Sequence, residues 1–183
     1  MMSDTTSSWY EVVTGHALEQ GDILTALDVP TVVPGQGGQG YSARVLTGTF
    51  IVLAQTCDLE HEKVTEVLLA DVIHYDVLYE KAGNFKRTEF RKALIQGVVP
   101  AYCLLMSRDD DEPVLPWSVV DFHHLRLINK AACCAHAERS GPRLRLRSPY
   151  KEHLAQSYAR YMMRVALPNT THEFEKYKPE PAF

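Results

Sequence analysis

Cysteine is scarce in this chain, and its pattern suits no cross-linked framework. The four thiols, Cys57, Cys103, Cys133 and Cys134, include one adjacent pair and no Cys-x-x-Cys. That spacing argues against a disulfide scaffold, a redox dithiol and a paired zinc knuckle, and it fits reduced thiols. Long apolar runs are missing as well. None approaches the roughly 20 residues that span a bilayer, so no membrane segment is expected. The opening Met-Met-Ser-Asp-Thr-Thr-Ser-Ser has an acid where a secretory leader would be basic, and no apolar stretch follows. The chain therefore reads as cytoplasmic. Positive charge is not in excess either: 19 Lys and Arg against 23 Asp and Glu leave a net charge of −4. Any nucleic-acid role must then rest on a local basic patch. The glycine-rich stretch 35–40 lacks the Gly-Lys-Ser/Thr ending of a phosphate loop. It reads as a mobile connection, and no cofactor is expected.

What is present suits one globular domain. With 183 residues, 45% of them hydrophobic, a single core can be filled, whereas two domains would each be small. Residues 1–8 read as a polar leader and 9–20 as a short first element. Gly21-Asp22 turns into a strand, Ile23–Leu27. Two apolar runs follow, 49–54 and 64–73, joined by a polar connection of hairpin length. Across 76–96, Leu78, Ala82, Phe85, Phe90, Ala93 and Leu94 recur at roughly helical spacing among five cations. This predicts a helix in one or two pieces around Gly83. Tyr102–Met106 reads as a strand, 109–113 as an acidic loop, and Trp117–Phe122 and Leu125–Ile128 as two short apolar pieces. In Arg143-Leu144-Arg145-Leu146-Arg147, period-two alternation predicts leucines inward and arginines outward. Ser148 and Pro149 suit the start of a last helix whose apolar face is Leu154, Ala155, Tyr158, Met162, Val165 and Ala166. Pro168 ends it. The domain spans 1–168, and 169–183 reads as an extended tail.

The stretch Thr49-Phe-Ile-Val-Leu-Ala-Gln-Thr-Cys-Asp-Leu59 carries the most chemistry. A strand buried on both faces stops at Gln55, Thr56, Cys57 and Asp58, at the kind of strand end where sites are often built. Cys57 would be the nucleophile, with His61 or His74 as base, Asp58 to orient the imidazole and Gln55 to stabilise an oxyanion. The structural alternative is a half-buried thiol in a polar turn. Cys57 and His61 with Cys133, Cys134 or His136 offer sulfur and nitrogen ligands for zinc, but a second recognised ligand pair is lacking and no metal is expected. His123-His124 reads as a partly exposed pair at a strand end. The local basic patch falls between 142 and 167, where Arg143, Arg145, Arg147, Lys151, Arg160 and Arg164 face one acid, Glu152. Such clusters grip phosphates, and equally serve as an outward face that resists edge pairing.

Three segments carry a family resemblance. Gln20-Gly21-Asp22-Ile23-Leu24 is similar to an opening Gly-Asp-Ile/Val strand. Ile51-Val52-Leu53-Ala54, a polar turn and Val67-Leu68-Leu69-Ala70 are similar to a central hairpin. Leu115-Pro116-Trp117-Ser118-Val119-Val120-Asp121-Phe122, continuing to Leu125-Arg126 and Lys130, resembles a late strand leading into a C-terminal helix. In this order they resemble the PemK/MazF-like toxins, over about a third of the chain. The resemblance implies an α+β fold: a small antiparallel SH3-like β-barrel, here with an inserted helical segment and a C-terminal amphipathic helix. It implies RNA as partner, an antitoxin-like protein partner, and RNA cleavage. The family's arginine before the first hairpin strand is replaced by Gly48-Thr49-Phe50, the nearest arginine being Arg44; its later serine or threonine gives way to Asp71 and Val72. The expected function is a toxin–antitoxin-like or defence-associated RNA-interacting protein. In it Asp58 or His61 would act as base, Arg44 as cation, and Gln55, Thr56, Arg143, Arg145, Arg147, Arg160 and Arg164 would bind. The alternative is a non-catalytic interaction module of a larger complex.

Overall fold

The fold is set by a strand that must be buried on both sides. In β3 (Tyr41–Val52), Phe50 and Val52 point into one apolar cluster and Ile51 into another, all three fully enclosed. Burial of each side chain contributes roughly 1.5–3 kcal/mol, so the sheet around β3 needs cover on both faces. A computed structural model describes residues 9–35, 37, 40–61, 63–109 and 111–163 of the chain. The expected leader 1–8, residues 36, 38 and 39 of the glycine-rich stretch, residues 164–168 with Arg164 (the expected end of the last helix), and the expected tail 169–183 lie outside them.

Among the described residues the architecture is α+β and antiparallel. A five-stranded sheet runs β2 (Ile23–Pro34), β3, β4 (Glu66–His74), β6 (Ser118–Asn129), β5 (Tyr102–Leu105), and a two-stranded sheet pairs β1 (Tyr10–Val13) with β7 (Arg143–Leu146). A bridge between Asp22 and Arg145 joins the two sheets. At that junction Gly21 has φ +88°, and a Cβ there would lie 3.0 Å from Leu146 Cβ, so only glycine fits both the backbone and the approach. At the far edge the Tyr10 hydroxyl donates to the Met106 carbonyl at 2.7 Å. Among the described residues the strand pairings do not close into a ring.

Three apolar clusters fill the molecule. Tyr10, Ile23, Ile51, Val72, Leu105, Phe122, Leu146 and Leu154 form the first, beneath α5 (Tyr150–Met162). Leu24, Phe50, Val52, Leu69, Ile128 and Cys133 form the second, capped by α1 (Thr56–Glu60) and α4 (Lys130–Ser140). The third, Phe85, Leu94 and Val119 with Tyr102 and Phe90, lies under the insert. That insert is two helices, α2 (Tyr75–Lys81) and α3 (Thr88–Ile95), joined by a 3₁₀ turn at Gly83–Lys86. The expected break at Gly83 is where the helix stops.

Several expectations are revised. The strand at Ile23 continues to Pro34; Pro30 and Pro34 are tolerated because the other side of β2 has no neighbour in the sheet order. The connection after β3 is a helix, so Cys57 lies in the first turn of α1 and not at a strand end. The two apolar pieces near 117–128 are one strand, interrupted by a bulge. On α5, Met162 is 56% exposed while Tyr161 packs on the core.

The largest revision concerns the arginines. Arg143 and Arg145 are buried, not outward. Arg143 Nε donates to Asp22 Oδ2 at 2.9 Å and Arg145 Nη2 to the same oxygen at 3.0 Å, while Arg145 Nε is paired with Oδ1. The carbonyls of Gly15 and Ala17 and the Glu19 carboxylate take the remaining donors. Period-two alternation fails because the segment around 15–19 folds over the outer face of β7. Of the three strand arginines, Arg147 alone is exposed.

His153 shows a second inward turn. Its Nδ1 lies 3.7 Å from the Cys103 thiol, and Ser157 beside it is buried, accepting from Arg160 Nη2 at 3.2 Å. Burial first, then the Arg160 charge, lowers the His153 pKa. The unfolded chain thus binds the proton more readily. The stability tied to neutral His153 is present above about pH 6.5, the ordinary imidazole value, and is lost as the pH falls through the folded one. We expect thermal unfolding temperatures to drop on acidification below that point, and His153→Gln to remove part of the slope.

Candidate active site

The β4–β6 ladder pairs Ala70 with Leu125 but Asp71 with Asp121. One step on β4 thus spans four on β6, and Phe122, His123 and His124 are extra. Such bulges re-aim side chains and are common beside functional sites. Phe122 is driven into the core, its amide bonded to the Ala101 carbonyl at 3.0 Å. The histidines turn back on Asp121. Its Oδ1 meets the backbone N–H of His123 at 2.9 Å and that residue's Nδ1 at 2.8 Å, while Oδ2 meets Nδ1 of His124 at 3.0 Å.

The Asp121 side chain is 6% exposed, whereas the two imidazole side chains are 47% and 56% exposed. An ionised carboxylate only accepts, so both Nδ1 atoms carry protons. That leaves Nε2 of each neutral ring as a lone-pair nitrogen on the side away from Asp121. Tyr102 and Tyr161 flank His123 edge-on, with centroids 5.5 and 5.7 Å away. Burial, then the Asp121 charge, raises the Tyr102 pKa and keeps it a neutral phenol. Directly across the ladder, Asp71 accepts from Arg126 Nε and Nη2 at 3.3 and 3.4 Å. Opposed residues share a face, so two carboxylates, two imidazoles and a guanidinium gather at the bulge. The arrangement provides oriented bases, acids when protonated, and a cation.

The other candidate residues are scattered. Cys57 is exposed, and its thiol approaches Gln55 Oε1 at 3.7 Å and Asp58 Oδ1 at 3.8 Å. Asp58 pairs with Lys63 at 3.6 Å, and Thr56 Oγ1 accepts from the Gln20 amide. The His61 backbone N–H donates to the Cys57 carbonyl at 3.2 Å, but among the described residues no hydrogen bond joins the Cys57 thiol to the His61 or His74 ring. Arg44 sits opposite Thr31 on the outer half of β3, eight residues and roughly 26 Å of strand from Val52. Arg160 is exposed at the end of α5. His136 Nε2 is engaged with the Thr25 carbonyl, and among the described residues no group of three or more His, Cys, Asp or Glu side chains is placed to hold a metal ion.

The thiols differ in access. Burial pushes Cys103 up to about 11 and Cys133 up to about 12. A thiol-specific reagent should label Cys57 first, with Cys103 and Cys133 reacting only as the chain unfolds.

Residue-level reading missed Asp121, His124 and Arg126 as a unit. The available signal was a charged residue within the apolar run Ser118-Val-Val-Asp-Phe122 followed by two histidines. In comparisons with known proteins, no family model matches this chain and no curated protein matches it. Among the described residues no helix is long and apolar enough to cross a membrane.

Proposed function

We propose that this chain is an RNA-interacting protein of the toxin–antitoxin or defence kind, acting in the cytoplasm, and that it cleaves RNA at the Asp121–His123–His124 cluster. One observation carries the reading: a single buried carboxylate holds two adjacent, half-exposed imidazoles by Nδ1. One Nε2 takes the proton of a ribose 2′-hydroxyl as that oxygen bonds to phosphorus. The other imidazole, protonated, gives its proton to the departing 5′-oxygen as the P–O5′ bond breaks. The products are a 2′,3′-cyclic phosphate and a 5′-hydroxyl. The guanidinium of Arg126 supports the charge that develops on phosphorus-bound oxygen. We read the seven strands as a partly closed SH3-like barrel. The Asp22–Arg145 bridge and the Tyr10–Met106 hydrogen bond support that reading, with the sequence resemblance beside them.

The test is cleavage of single-stranded RNA by the purified chain. We expect cyclic-phosphate ends, with His123→Ala and His124→Ala each slowing cleavage by about 10²–10⁴-fold in variants that melting curves show to be folded at the assay temperature. No cleavage by the wild-type chain, or equal rates in the variants, would overturn it.

The outer β2–β3 ribbon favours the alternative, a non-catalytic interaction module. Val32, Tyr41 and Val45 are 70%, 82% and 66% exposed, and Asp28 and Arg44 carry the only charges between residues 28 and 47. Such an apolar ribbon is marginal by itself in water. An interaction module would bind no RNA at low salt.

A further inference from the structure

A cleft of about 450 Å³ opens between the insert and the start of β6, and neither histidine lines it. Its floor is Leu94 and Leu104, and its walls carry Tyr75, Tyr79 and Trp117. The Tyr75 hydroxyl is tied to the Phe85 carbonyl at 2.7 Å, and the Tyr75 amide to the Trp117 carbonyl at 2.8 Å, so this wall is held in place. Trp117 and Tyr79 remain 47% and 40% exposed. Two groups of opposite charge face the space, Asp76 and Arg91. This is the size and make-up of a small-ligand site: mostly apolar walls with a few convergent polar groups.

The surroundings select the ligand. Between residues 81 and 92 stand Lys81, Lys86, Arg87, Arg91 and Lys92 against one acid, Glu89, and all five cations are exposed. Lys86 Nζ lies 5.6 Å from the centre of the Tyr79 ring. This is the local basic surface that β7 does not supply. Cations beside exposed aromatic rings suit a planar ring bearing phosphate, because stacking is indifferent to base identity and phosphate needs positive charge. A carboxylate at the same site accepts from exocyclic amino groups.

We propose that this cleft binds a nucleotide, with its base against Trp117 and Tyr79, its amino edge toward Asp76 and its phosphate on Arg91. The site is separate from the imidazole pair. A free nucleotide and an unpaired residue of an RNA strand offer the same chemistry; only the second rests on the RNA reading above.

The chain has two tryptophans, and Trp9 stacks on Tyr150 at 4.0 Å. A Trp9→Phe variant keeps that stack and leaves Trp117 as the only indole emitter. Titration with a nucleoside monophosphate, and separately with a short oligoribonucleotide, should quench Trp117 saturably and more strongly at low salt. Arg91→Ala should weaken the effect about tenfold, and Asp76→Asn should shift the preference among bases. His124→Ala should leave quenching unchanged, so loss of cleavage and loss of binding are told apart. Tighter quenching by the oligomer identifies an RNA strand, and equal or tighter quenching by the mononucleotide identifies a free nucleotide. Absence of quenching by both, or equal affinity in Arg91→Ala, overturns the proposal.

Discussion

Replacing Asp22 by alanine will cost about 3–5 kcal/mol of folding stability, the usual penalty for removing one partner of a buried ion pair. The carboxylate is fully enclosed, and both of its oxygens are engaged by Arg143 and Arg145. Its loss leaves two buried guanidiniums with only Glu19 and the Gly15 and Ala17 carbonyls. The same residue bridges β2 to β7, so the junction of the two sheets loosens with it. Asp22→Asn should be nearly as damaging, since an amide keeps the shape but not the charge. Denaturant unfolding of both variants checks this. A loss below about 1 kcal/mol, the size of an exposed pair, would show that the arginines do not depend on Asp22.

On the proposed mechanism, Asp121→Asn should lower RNA cleavage by about 10²–10⁴-fold while the fold persists, by analogy with serine-protease triads, where the same change leaves the imidazole in the wrong tautomer. The carboxylate accepts from both rings; an asparagine accepts from one and donates to the other. One imidazole is then forced to present a protonated Nε2, and the acid–base pair is broken. Single-turnover cleavage rates alongside melting curves separate this from unfolding. A variant that cleaves at the wild-type rate would remove Asp121 from the chemistry.

The parts of the fold legible in the sequence were those fixed by local pattern. The insert breaks at Gly83, where periodicity predicted a break, and Leu154 is buried on the last helix as its spacing required. The parts that were not legible depend on distant partners. Arg143 and Arg145 match outward alternation, yet Asp22, more than 120 residues earlier, draws them in. Thr56–Glu60 is too short to be signalled by propensity, and its helix is held by packing of Leu59 and by Lys130 on the Leu59 carbonyl. The histidine pair was the hardest to see. In a regular strand, neighbours 123 and 124 would face opposite sides, and only the bulge brings both rings to one carboxylate. The apparent gap between the two apolar pieces of β6 was that bulge.

The tautomers of His123 and His124 test this account most directly. Long-range ¹H–¹⁵N spectra of histidine-labelled protein at about pH 8.5, well above the ordinary imidazole value, report which nitrogen holds the proton. The account predicts protonated Nδ1 and bare Nε2 on both rings, and a switch of one ring in Asp121→Asn. Protonated Nε2 on either ring of the wild-type protein would contradict it.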